Sequence, residues 1–215
     1  MKWKHIIVSC LMFAGGLLPA DASGSGSERP ERDYPLFTFG METSYVLGFM
    51  NYSHFNFISA DGDRRDERSL TAGAVSNGQI LAGCGINLSR NWNLSLFTGY
   101  GGVYRRERMV PLSLRVTWLS GDNPLENRWL LFCGAGIGFN DFERPEKVSA
   151  EGKIGAGYRI SLNRAVKLDF LVGFQEVYTH PRAGESDTGD YVAPERMRRN
   201  DAYLSALTIG LALVF

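Results

Sequence analysis

Few side chains in this 215-residue chain could do chemistry, and most of them lie between its apolar stretches. Past the N-terminal region there are two histidines, His54 in Asn51-Tyr-Ser-His54 and His180 in Tyr178-Thr-His-Pro181. An imidazole close to a hydroxyl can activate that weak nucleophile, which makes Ser53 and His54 the first pair to weigh. The plainer reading of each histidine is a polar loop residue. Asp61, Asp63 and Asp66, and again Glu185, Asp187 and Asp190, could collect calcium through carboxylate oxygens. Neither run has the spacing and distal Glu of a calcium loop, so both read as solvated acidic segments. No phosphate-cradling glycine loop and no Cys/His cluster of metal-binding type occurs. The expectation is no catalytic residue, no metal and no cofactor. The basic groups are more suggestive. Arg105, Arg106 and Arg108 crown one short hairpin, and Arg196, Arg198 and Arg199 precede the last stretch. Guanidinium groups grip phosphates through paired N–H donors.

What positions these groups is a period of two. In Asp201–Phe215 the bulky residues Tyr203, Leu207, Ile209, Leu211, Leu213 and Phe215 alternate with smaller ones, and only Ser205 breaks the run. That is a strand with one bulky apolar face and one slim face. The same alternation predicts strands over Leu36–Phe49, Gly78–Leu88, Asn93–Arg105, Val110–Leu119, Arg128–Phe139, Ala150–Ile160 and Ala165–Val177. Between them the expected connections are long (Asn51–Ser76), short (Ser89–Trp92), short (Arg106–Arg108), medium (Ser120–Asn127), medium (Asn140–Ser149), short (Ser161–Arg164) and long (Tyr178–Asn200).

The N-terminus reads as an export signal. Met1-Lys-Trp-Lys-His is basic, Ile6–Leu18 is apolar, and Ala20-Asp-Ala22 offers small residues for cleavage after Ala22. Residues 23–35 are polar and turn-rich, which predicts a disordered leader, and 36–215 is expected to be one domain. Lys+Arg and Asp+Glu are equal at 23 each, which argues against a nucleic-acid partner. Cys84 and Cys133 sit on bulky faces and read as small hydrophobes rather than a disulfide framework.

A soluble barrel with its bulky faces inside would show the same alternation, and a soluble periplasmic ligand-binding barrel is one alternative. Three features favour bulky faces in lipid. The slim faces are rich in Gly, Ser and Thr, as a narrow lumen needs. Trp92, Trp118 and Trp129 map to one rim, as an aromatic belt would. The chain also ends on Phe215, which suits a membrane interface. In that orientation Glu42, Arg115, Glu151, Lys153, Arg159, Lys167 and Asp169 point into the lumen. Charges of both signs there predict an interior pairing network, with an ion pathway as the lesser reading. Arg105, Arg106 and Arg108 then become candidate contacts to lipopolysaccharide phosphates, against a generic charged rim.

The C-terminal alternation ending in Phe215 resembles the closing strand of bacterial outer-membrane β-barrels. The strand-and-loop pattern of the remainder is similar to the small eight-stranded barrels of the OmpA and OmpX type. The resemblance implies an all-β fold, an eight-stranded antiparallel up-and-down transmembrane β-barrel in the outer membrane. It also implies outer-membrane lipid and lipopolysaccharide as surroundings, and delivery by the barrel-assembly machinery through the last strand. A monomer is expected, with a structural or surface-interaction role carried by the long loops, whose partner the sequence does not name. A lipid-modifying enzyme and a narrow pore are two further readings. Enzymatic barrels of this size pair a histidine with a serine at the lipid-facing rim, and neither His54 nor His180 shows the deacylase pattern His-x-Ser-Asn.

Overall fold

In the computed structural model the described residues are 34–104, 107–121, 123, 125–139, 148–184 and 191–215. The expected signal peptide, the leader up to residue 33, and Arg105 and Arg106 lie outside them. The strands are β1 (Phe37–Ile58), β2 (Arg64–Asn87), β3 (Trp92–Tyr104), β4 (Glu107–Leu119), β5 (Arg128–Phe139), β6 (Val148–Ser161), β7 (Lys167–Thr179) and β8 (Met197–Val214). Each pairs antiparallel with its sequence neighbours, and β8 closes on β1 from Gly40↔Val214 to Phe57↔Met197, giving an eight-stranded barrel with no crossover. The terminal residue joins this seam, because Phe215 and Phe39 exchange backbone hydrogen bonds at 2.7 and 3.1 Å.

The two faces are sorted against the rule for proteins in water. Ile209 is 64% exposed and Ile80 62%, while Glu42 is 1% exposed and Asp169 is buried inside. A continuous apolar exterior around a charged interior is the distribution that a bilayer requires and water forbids. The barrel is a transmembrane one. Among the described residues no helix is long and apolar enough to cross a membrane, so the crossing is made by strands. Cys84 and Cys133 are exposed free thiols on the lipid face.

Connections β2–β3, β4–β5 and β6–β7 are short turns at one end, called here the turn end. The opposite, hairpin end departs from expectation. Asn51–Ser76 is not a loop: β1 and β2 stay paired up to Ile58↔Arg64, and only Ser59–Asp63 turns. Ser59 and Asp63 close that turn at 2.8 Å, and Gly62 supplies the left-handed residue at φ +90°. A register shift between Gly48 and Met50 reverses the alternation, so that Met50, Tyr52 and His54 face outward whereas Ser53 and Phe57 face inward. The last connection is also shorter than expected, because β7 runs on to Thr179 and β8 begins at Met197. Part of it folds back: Gly184 bridges Tyr191, and Ala183 and Val192 pack on the fully buried Phe57.

Candidate functional site

The lumen is filled in layers. At mid-barrel, Glu42 on β1 receives Arg115 of β4 at 2.6 Å, Lys153 of β6 at 2.8 Å and the hydroxyl of Ser44 at 2.9 Å. The Arg115 guanidinium also lies 4.3 Å from the Phe97 ring centre and 4.9 Å from that of Phe132, so aromatic faces complete its surroundings. These two rings fit because the facing positions are glycines. A Cβ on Gly83 would come within 2.6 Å of the Phe97 ring, and one on Gly155 within 2.5 Å of the tip of Phe132. Gln175 donates to Glu151 at 3.4 Å beside this cluster.

Towards the turn end an apolar layer follows, made by Leu119, Leu130, Phe132, Leu171 and Ala212. Beyond it Arg159 holds Asp169 through two parallel bonds of 2.7 Å. Lys167 lies on this same face at the mouth, but it donates to the Arg164 carbonyl of the adjacent turn at 2.7 Å; Arg159 already occupies the oxygens of Asp169. The sequence reading missed Arg128, which is buried beside Arg159 and donates to the Arg90 carbonyl at 3.1 Å. Its place at the start of a strand, alternating with Trp129, was the usable signal. Towards the hairpin end a second apolar layer is formed by Met109, Val177, Ala202 and Leu204. Cavities of about 50 and 20 Å³ remain on either side of Glu42, room for a few waters at most.

Trp92, Trp118 and Trp129 all face outward at the turn end. Trp92 pairs directly with Trp118, and Trp129 stands edge-on to Tyr158 at 5.0 Å. Phe215 is exposed near the same rim. A second group of rings, not singled out in sequence, lies outward towards the hairpin end. There Tyr203 stacks between Tyr178 at 4.8 Å and Tyr52 at 6.3 Å.

Above these rings β1, β2 and β8 continue as a projecting sheet. His54 and Ser53 point to opposite faces of it, so the adjacent pair is not a nucleophile and its base. His54 Nε2 instead donates to Asp66 Oδ1 at 2.7 Å, and this bond holds the Asp66 carboxyl below its ordinary range. His180 Nδ1 lies 3.3 Å from Asp201. Burial pushes the Asp201 carboxyl up, but hydrogen bonds from Arg199 and Tyr178 outweigh it and the net shift is downward. Arg108 is exposed, with a long 3.4 Å contact to Asn77. Among the described residues no cluster of three or more His, Cys, Asp or Glu side chains could hold a metal.

Strand order, apolar exterior and a charged, packed interior together identify the architecture. It is the fold of the small eight-stranded outer-membrane β-barrels. No family model matches the chain, and no curated protein does. Among solved structures it is similar to the outer membrane protein OprG from Pseudomonas aeruginosa, at 12% identity over 84% of this chain and 96% of that one, TM-score 0.47. Neisserial surface protein A aligns at 10% identity over 81% of this chain and 95% of that one, TM-score 0.42. The N-terminal β-barrel domain of Pseudomonas aeruginosa OprF aligns at 12% identity over 82% and 97%, TM-score 0.37.

Proposed function

We propose that this chain is an exported bacterial outer-membrane protein whose barrel is an anchor and whose projecting sheet meets a partner outside the cell. The observation that carries the reading is an asymmetry of length. β1 and β2 have 22 and 24 residues, whereas β3 to β7 have 12 to 14, close to what one crossing needs. The additional length stands clear of the membrane at the hairpin end and carries Arg64, Arg65, Asp66, Glu67 and Arg68. The short turns then face the periplasm. Outer-membrane lipid and lipopolysaccharide surround the belt, with Arg108 at headgroup level and Arg105 and Arg106 as further candidate phosphate contacts, and the strand ending in Phe215 is the one the assembly machinery engages.

The pore reading is weaker, because ion pairs and apolar layers alternate across the lumen. The experiment compares cells displaying the full chain with cells whose β1–β2 hairpin is shortened to the level of Gly48 and Val75. The measurement is attachment of these cells to surfaces and to other cells, with folding followed by heat-modifiable migration in SDS gels. Loss of attachment with the barrel intact supports the reading. Unchanged attachment, or a steady single-channel conductance from the purified full chain, refutes it.

A further inference from the structure

The lumen charges balance at mid-barrel and fail to balance at the turn end. Around the Glu42 cluster two carboxylates, Glu42 and Glu151, stand with two cations, Arg115 and Lys153. At the turn-end mouth three inward cations, Arg128 on β5, Arg159 on β6 and Lys167 on β7, share the single carboxylate of Asp169. The remaining strands bring only uncharged residues to this level: Thr38, Asn87, Asn93, Thr117 and Val214. Glu126 of the adjoining turn is exposed, and its carboxylate accepts from Asn123 at 2.8 Å.

Arg128 and Arg159 are direct cross-strand partners, a like-charge pairing that costs stability without an anion beside it. Asp169 does not serve both, because Arg159 takes its two oxygens through Nε and Nη2 at 2.7 Å each. Arg128 donates instead to the Arg90 carbonyl at 3.1 Å, and Lys167 to the Arg164 carbonyl at 2.7 Å. A carbonyl accepts a hydrogen bond but carries no net charge, so among the described residues both cations lack a counter-ion. Arg128 is moreover 5% exposed, and its Nε has no hydrogen-bond partner. A buried guanidinium with an idle donor is costly until an anion meets it. The polar character continues inward, where the cavity of about 50 Å³ is lined by Asn93, Ser95, Thr117, Arg159 and Asp169. Two uncompensated cations on neighbouring strands suit an oxyanion with a charge of about −2 and several acceptor oxygens, which is phosphate chemistry. The guanidinium fork takes paired oxygens, and the lysine adds a point charge.

We propose that the turn-end mouth of the barrel binds a phosphate group between Arg128 and Lys167, with Arg159 beside it. The group belongs either to a free phosphate or to a lipid headgroup reaching over the rim. The site is independent of the projecting sheet and of whatever that sheet meets. The test titrates inorganic phosphate into the full-length mature protein in micelles of a phosphate-free maltoside detergent, with chloride keeping the ionic strength constant. Amide NMR shifts report binding residue by residue. The expected result is a saturable shift at Arg128, Arg159 and Lys167. Arg128→Gln and Lys167→Gln should each weaken binding by about tenfold or more, the loss of one charged hydrogen-bond donor. Arg68→Gln, on the projecting sheet, should leave it unchanged. Heat-modifiable migration in SDS gels checks that each variant folds, and Lys167→Gln decides alone if Arg128→Gln does not. A second arm adds phosphatidylglycerol to the micelles. Displacement of phosphate by this lipid assigns the site to a headgroup, and undisturbed phosphate binding assigns it to the free anion. Shifts that never saturate, that chloride reproduces, or that persist in the folded variants overturn the proposal.

Discussion

Arg115 Nη1 lies 2.6 Å from Glu42 Oε2, and the two residues come from strands three places apart around the ring. With Lys153 on the other oxygen of Glu42, one carboxylate ties β1, β4 and β6 together across the lumen. The geometry makes Glu42 the hub and each cation a spoke. Removing the hub leaves two buried cations facing one another, whereas removing a spoke leaves a pair intact.

Glu42→Gln is therefore expected to destabilise the barrel by about 3–5 kcal/mol, the usual cost of stranding a buried charge. Lys153→Met, which leaves Glu42 bonded to Arg115, should lose clearly less. Urea unfolding in detergent micelles, followed by tryptophan fluorescence, measures both. Equal losses would show that the charge is shared more widely than these contacts indicate.

The outward hairpin gives a pH test. Asp66 is held below its ordinary range by the hydrogen bond from His54, so its folded pKa is lower than its unfolded one. The sign follows from linkage: the contribution is present in full above the unfolded value and disappears as pH falls through the folded value. Hydrogen-exchange protection near the His54↔Arg68 pairing, corrected for intrinsic rates, should hold from neutral pH down to about pH 4 and fall only below it. Asp66→Asn should remove the low-pH step. A loss beginning near neutrality would assign the control to another group.

Much of this architecture was legible in the sequence, and the reason is the strictness of period two where both faces are constrained. Lipid demands bulky residues outside, and the narrow lumen demands Gly, Ser or a paired charge inside. Every strand between the two rims therefore shows its alternation, as in Leu207, Ile209 and Leu211 against Thr208, Gly210 and Ala212. Above the membrane that demand stops. Arg64–Arg68 is polar on both faces, so its strand character is carried only by cross-strand pairs that a linear reading does not reveal. Asp61-Gly62 was the usable sign, being a tight-hairpin dipeptide where a long loop was expected. The reversal near Phe49 hid the rest, because one added residue exchanges the faces of everything beyond it. The lumen partnerships were less legible still. Which cation meets Glu42 depends on barrel stagger, and Phe97 and Phe132 reveal their role only once the ring closes around Arg115.

Glycines test that packing directly. A Cβ at Gly155 would sit 2.5 Å from the Phe132 ring and 2.4 Å from the Val172 carbonyl, whereas one at Gly152 would meet nothing within 4 Å. Gly155→Ala should cost about 1–3 kcal/mol through overpacking and displaced backbone. Gly152→Ala, earlier on the same strand, should stay within about 0.5 kcal/mol of the parent. Refolding yield into micelles and the urea midpoint distinguish them. Matching behaviour of the two variants would mean that Phe132 yields freely and does not hold Arg115 in place.

The tryptophans give a depth gauge. Trp92, Trp118 and Trp129 face outward within one rim, and the remaining tryptophan, Trp3, lies in the segment expected to be cleaved. Indole rings settle where an apolar body meets lipid and an N–H meets water, so this rim is expected at a headgroup boundary. Full-length mature protein in vesicles of brominated phospholipid should show strong fluorescence quenching by bromines near the carbonyl region and weak quenching by bromines at the chain ends. Replacing Trp118 by Phe should lower the emission without changing that depth profile, since its partner across the β3–β4 pair, Trp92, shares its level. Strongest quenching by chain-end bromines would put the rim near the bilayer midplane. The charged turn containing Arg164 would then have to lie within hydrocarbon, a cost of about 2–4 kcal/mol for each cation at the midplane. That outcome would require a different tilt or depth for the whole barrel, and with it a different height for the projecting β1–β2 sheet.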